Sequence, residues 1–145
     1  MKKEQAYFYR AYKGIAMGFG AYEAVFMAYM ADLDRLRMSG ADPVSGLNVH
    51  MGVTGMGRRT FERCVRKAVR MGLLERIPVD GRYDYVWNRT AYDRLVEIVS
   101  SNASYTVLRE FCDKVFATDG RTVSSITDSE VRALKNTPFP TSGKR

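Results

Sequence analysis

Residues 54–88, TGMGRRTFERCVRKAVRMGLLERIPVDGRYDYVWN, decide the fold. The stretch opens on the turn-prone Thr54-Gly55-Met56-Gly57. Phe61, Val65 and Ala68, flanked by Cys64 and Val69, then recur at helical steps. Arg58, Arg59, Glu62, Arg63, Arg66, Lys67 and Arg70 fall largely on the other faces. This spacing predicts a basic amphipathic helix over about 58–71, with Gly72 as its C-terminal cap. After it, residues 73–79 and 82–88 are β-rich segments separated only by Asp80-Gly81, the strongest short-range signal for a hairpin with a two-residue turn. Pro78 has no N–H to give to a ladder, so it requires an edge position, which a two-stranded ribbon supplies.

Working outward toward the N-terminus, Tyr22, Val25, Phe26, Tyr29, Met30, Leu33 and Leu36 lay one apolar stripe along a helix over about 21–38. Ser39-Gly40 stops it, and Asp42-Pro43 restarts the chain. Leu47, Met51 and Val53 line a short helix, which Gly46 and Gly52 keep short or irregular at about 1 kcal/mol each relative to Ala. Over residues 5–17, Tyr7, Tyr9 and Ala11 alternate with Phe8, Arg10 and Tyr12, which reads as a strand or extended arm. Toward the C-terminus, Tyr92, Leu95, Val96 and Val99 suggest a fourth helix. Val107, Leu108, Phe111, Val115 and Phe116 suggest a fifth, and a weaker one covers 128–135. The last residues, with Pro138 and Pro140, have little to bury.

A chain of 145 residues with 46% apolar composition suits one domain with a real core and excludes wholesale disorder. The expected division is an N-terminal arm or strand over 1–20, a main domain over 21–100, a C-terminal helical extension over 101–136 and a flexible tail over 137–145. The net charge of +7 suits a polyanionic partner. From residue 54 to 89 the chain carries nine basic residues (Arg58, Arg59, Arg63, Arg66, Lys67, Arg70, Arg76, Arg82, Arg89) against four acidic (Glu62, Glu75, Asp80, Asp84), which is +5 of the total. Concentrating charge in one unit is what counterion release from a nucleic acid rewards.

The order helix, short helix, glycine turn, basic helix and hairpin resembles the winged helix-turn-helix family of DNA-binding proteins. The resemblance rests on residues 21–88, above all on HMGVTGMGRRTF at 50–61 and RMGLLER at 70–76. His50 stands where the family carries an aliphatic residue. The resemblance implies a mainly α fold with a small β-hairpin, extended by C-terminal helices. It also implies a transcription regulator or replication-initiation protein that binds double-stranded DNA. A helix about 10–12 Å wide fits the major groove and brings donors to base edges and phosphates. Arg59, Thr60 and Arg63 are the first choices for base readout, and Arg58 faces base or phosphate. Arg66, Lys67 and Arg70 suit phosphates, and Arg82 at the hairpin tip suits a groove or backbone. Residues 105–116 could supply a helix for a homodimer that reads a two-fold symmetric site.

Two rival readings are a winged-helix module that docks another protein and a single-stranded nucleic-acid binder. The second needs Tyr83, Tyr85 or Trp87 exposed for base stacking, whereas core packing of that hairpin face is the favoured expectation.

Catalysis lacks candidates, because His50 is the only histidine and no nucleophile, base and orienting group can be assembled around it. The glycines and hydroxyl of residues 52–60 approximate a phosphate-cradling loop, but the lysine is missing. Cys64 and Cys112 match no metal or redox spacing and read as buried thiols, so neither metal nor cofactor is expected. No small-molecule ligand is evident. No apolar run is long enough to cross a membrane and the first residues lack a secretory leader, which reads as a cytoplasmic protein.

Overall fold

A computed structural model describes residues 11–40, 47–100 and 104–137, apart from the side chain of Arg82. The described chain is mainly helical with one antiparallel hairpin. Its elements are α1 (Lys13–Phe19), α2 (Ala21–Met38), α3 (Leu47–Thr54), α4 (Arg58–Arg70), β1 (Leu74–Val79), β2 (Arg82–Trp87) and α5 (Arg89–Val99). They continue with α6 (Tyr105–Cys112), a π-helical turn over Asp113–Thr118, a 3-10 turn over Val123–Ser125 and α7 (Asp128–Lys135).

Local chemistry explains most of the boundaries. At the end of α4 the N–H of Leu73 donates to the carbonyl of Ala68 and that of Gly72 to Val69, while Gly72 takes φ +80°. This pair of bonds is a Schellman ending, and the required left-handed residue is a glycine. The hairpin turn puts Asp80 at φ +47° and Gly81 at φ +78°, the two left-handed positions of a type I′ turn. Val79 pairs with Arg82 beside that turn and Pro78 with Tyr83 next to it. Pro78 therefore falls in a non-hydrogen-bonded pair, where its missing N–H costs nothing. The Asn88 side chain accepts from the Ala91 N–H to cap α5, Ser104 caps α6, and Thr127 with Glu130 forms a capping box on α7.

One hydrophobic core runs from Ile15 in α1 to Leu134 in α7, so the segments that the sequence divides at residues 20 and 100 pack around a common centre. Over residues 13–17 of the stretch 5–17, where a strand or extended arm is expected, the chain forms α1 instead, and residues 5–10 of that expectation lie outside the described residues. Helix α1 packs against α2, α5 and α6. A Cβ on Gly14 would stand 2.3 Å from the Val99 carbonyl oxygen, and one on Gly18 2.8 Å from the Cys112 sulfur. The two glycines weaken the local helix signal, and the close approach of α5 and α6 that they allow restores the helix through tertiary packing.

Two other expectations change. Tyr22, placed in the apolar stripe of α2, is exposed, and Glu23 is buried instead. In α3, Val53 is exposed, and the buried residue is His50. Over residues 105–116, Leu108, Cys112, Val115 and Phe116 are buried, and α6 packs on α1. Residues 1–10, the Asp42-Pro43 restart with Gly46, and the tail beyond Thr137 lie outside the described residues.

Candidate nucleic-acid interface

Helix α4 is held from its inner face. Phe61, Val65 and Ala68 are fully buried and Cys64 nearly so. Phe61 meets Phe26 of α2 edge-on, with ring centroids 5.3 Å apart, and stacks on His50 of α3 at 5.7 Å with an interplanar angle of 11°. His50 also shares a hydrogen bond between its Nδ1 and the Tyr29 hydroxyl and lies edge-on to Tyr85 of β2. One imidazole thus ties α3 to α2, α4 and the hairpin. Burial, followed by the charge of Arg37, pushes its pKa below the usual histidine value. The connection to α4 is tight: the Gly55 N–H closes α3 on Met51, Gly55 takes φ +73°, and Met56 is buried as an anchor.

With the inner face fixed, helical geometry dictates the outer one. Arg59, Arg63, Arg66 and Arg70, at steps of four, three and four, form a continuous stripe on the side opposite Phe61, Cys64, Val65 and Ala68. All four are exposed. Among the described residues, no carboxylate pairs with Arg58, Arg59, Arg66 or Arg70. The N-terminus of α4 points the same way: Gly57 offers no side-chain cap, the first turn holds no acidic residue, and Arg58 and Arg59 occupy its start. Unsatisfied N–H groups and two guanidiniums at the positive end of a helix make a local environment that an anion stabilises.

The residues chosen from sequence do not all join this stripe. Arg58 is exposed on its flank and Thr60 is half-buried on the opposite flank. Lys67 turns toward α2, where its ammonium lies 3.0 Å from the Glu23 carboxylate and 5.9 Å from the centre of the Phe19 ring. Arg63 reaches the same carboxylate more loosely at 3.8 Å and stands 6.0 Å over Tyr22. Glu23 therefore neutralises one edge of the basic helix. Its signal in the sequence is an acid inside the apolar run of α2. Arg82 lies beside the hairpin turn, and its side chain is outside the described residues.

On the hairpin, Tyr85 and Trp87 face the core, while Tyr83 is exposed near the tip. Arg76 stands 4.6 Å over the Tyr83 ring and 3.5 Å from Glu62, linking hairpin and α4. Of the three aromatics that single-strand stacking would use, only Tyr83 is presented. Cys64 and Cys112 are buried free thiols, and burial chiefly raises their pKa values to about 11 and about 12. Both are therefore protonated near neutral pH. Among the described residues no His/Cys/Asp/Glu cluster could hold a metal, and no helix is long and apolar enough to cross a membrane.

Compared with known proteins, the chain matches no family model, no curated protein and no solved structure.

Proposed function

We propose that this chain binds double-stranded DNA in a sequence-specific way as a winged helix-turn-helix regulator, with α4 in the major groove and the hairpin against the flanking backbone. The observation that carries the reading is the stripe Arg59, Arg63, Arg66 and Arg70 on the outward face of a helix introduced by a short helix and a glycine turn. Guanidiniums provide bidentate donors to guanine edges and phosphate oxygens. Arg58 and Arg59, at the end of the helix that carries positive potential, suit the first contacts, and Arg66 and Arg70 suit phosphates further along. The burial of Tyr85 and Trp87 favours duplex over single strand, because it leaves only Tyr83 of the hairpin aromatics for stacking.

The test is fluorescence anisotropy of labelled random-sequence duplex and of single strand, titrated at several salt concentrations, for the native chain and for Arg59→Ala/Arg66→Ala. Expected are tighter binding to duplex, a steep salt dependence, and for the double variant an affinity lower by about tenfold or more. Its salt slope should fall by about 0.9 for each phosphate that is no longer neutralised. Equal binding of single strand, or a double variant that binds like the native chain, would overturn the reading. Absence of binding at low salt would transfer it to a protein-docking module.

A further inference from the structure

The C-terminal half of α4, the end of α1 and the junction of α6 with the π-helical turn enclose a surface notch of about 30 Å³. A space of that size holds a single oxygen-sized group. Lys67 and Arg70 of α4 line it together with Arg109 of α6 and Asp113 of the π-helical turn. Packing closes its floor: Cys112 is buried, and a Cβ on Gly18 would stand 2.8 Å from the Cys112 sulfur. Arg70, the last member of the outward stripe, is exposed, whereas Lys67 and Arg109 are half-buried. The notch thus continues the basic face of α4 onto a second element, which the spacing along α4 does not dictate.

The charges of the notch do not balance. Lys67 holds Glu23 at 3.0 Å. Arg109 donates one N–H to the Gly18 carbonyl at 3.1 Å, which leaves its charge and its other N–H groups without a carboxylate. Arg70 meets no carboxylate among the described residues, and Asp113 is exposed. Counting Glu23 with the lining, three cations (Lys67, Arg70, Arg109) face two carboxylates (Glu23, Asp113), an excess of one positive charge among the described residues. No lining residue adjoins an undescribed stretch. The buried Cys112 thiol registers the same convergence, since burial and then Asp113 raise its pKa while Arg109 and Lys67 lower it. Like charges three residues apart already oppose each other on α4, and α6 brings a third beside them. An anion in the notch offsets that repulsion.

We infer that this notch seats an oxygen of a backbone phosphate of duplex DNA, so that Arg109 of α6 extends the DNA-binding surface beyond α4 and the hairpin. A phosphodiester carries one negative charge, which matches the single positive excess. Arg70 and Arg109 offer guanidinium N–H groups to its oxygens, and Lys67 adds a point charge behind them. A free phosphate finds room for one of its oxygens only, whereas a phosphate of the duplex is already held in place by the contacts of the stripe. Such a contact fixes the position of the duplex and reads no bases. The inference rests on the DNA-binding reading and adds to it a residue outside the helix-turn-helix and hairpin.

The full chain is titrated by fluorescence anisotropy against labelled random-sequence duplex at several salt concentrations, beside Arg59→Ala/Arg66→Ala and variants of the notch. Urea denaturation sets conditions of equal folded fraction. Arg109→Gln is expected to weaken duplex binding about fivefold and to lower the salt slope by about 0.9, the share of one phosphate, and Arg109→Lys to restore the slope. Asp113→Asn removes the opposing carboxylate and should tighten duplex binding about threefold at low salt. Asp93→Asn, the same change at an exposed position of α5 outside the notch, should do less. This pair decides the matter alone if Arg109→Gln does not fold. Binding that needs Arg59 and Arg66 but is unchanged in affinity and slope by Arg109→Gln would overturn this inference and leave the DNA-binding reading standing. So would a gain from Asp113→Asn no larger than that from Asp93→Asn. A native chain that does not bind duplex would overturn both.

Discussion

The two faces of α4 follow different rules. Its inner face, Phe61, Cys64, Val65 and Ala68, is buried against α2, α3 and the hairpin. Its outer face carries four arginines at spacings where like charges repel, and repulsion of this kind costs a helix a few tenths of a kcal/mol per pair. Elsewhere Arg89 is matched to Asp34, Arg94 to Glu97 and Asp128, and Arg121 to Glu130. Arg37 and Arg109 donate to the carbonyls of Tyr85 and Gly18, and Arg132 on α7 has no carboxylate partner among the described residues. Where an arginine borders another element the fold thus supplies a carboxylate or a backbone carbonyl, and among the described residues Arg59, Arg66 and Arg70 meet no carboxylate. Under the proposed DNA-binding reading those three arginines would meet an external anion, whereas the matched ones belong to the fold.

The comparison breaks most easily at Phe61. Replacing this fully buried ring with alanine should cost roughly 3–5 kcal/mol, because the cavity removes the packing against Phe26 and His50 together. Arg66→Ala should change stability by no more than about 0.5 kcal/mol. Urea denaturation of both variants measures the contrast. Similar losses from the two would mean that the outer face is structural after all.

Glu23 sharpens the comparison because it sits where the faces meet. Glu23→Gln keeps the shape but removes the charge that holds Lys67 at 3.0 Å and Arg63 at 3.8 Å, so a loss of about 1–3 kcal/mol is expected. Affinity for duplex should rise at low salt, since Arg63 in the stripe and Lys67 beside it are released. Denaturation and anisotropy read the two effects separately. A variant as stable as the native chain, or one that binds duplex less well at equal folded fraction, would show that Glu23 does not divide the faces in this way.

The region nearest α4 was the most legible in sequence, and the reason is physical. Helix α4 and the hairpin are specified by local signals: a 3.6-residue apolar period, Gly72 at a left-handed position and an Asp-Gly turn. Helix α1 has no such signals, because its Gly14 and Gly18 depend on α5 and α6, which lie far along the chain. The alternation of tyrosines around residues 7–12 was the stronger local pattern and pointed to a strand. In the candidate interface, the arginine stripe could be read from spacing alone. The attachment of Lys67 to Glu23 could not, since it requires the packing of α2 on α4.

The smallest effect separates the buried imidazole from the exposed charges by pH. His50 is neutral in the fold because burial lowers its pKa, so the folded state binds fewer protons than an unfolded chain whose histidine titrates near 6.5. Stability therefore rises with pH wherever the unfolded state holds the extra proton. The contribution from His50 is complete above about pH 6.5 and declines as the pH falls below it. In His50→Phe the ring stays against Phe61 and this part of the pH dependence disappears, at the cost of the Tyr29 hydrogen bond. Urea midpoints at pH 7.5 and 5.5 should thus separate for the native chain and nearly coincide for His50→Phe. Arg66→Ala should retain the native separation, because its guanidinium stays charged throughout this range. The same separation in all three chains would place the acid sensitivity elsewhere and leave His50 as packing alone.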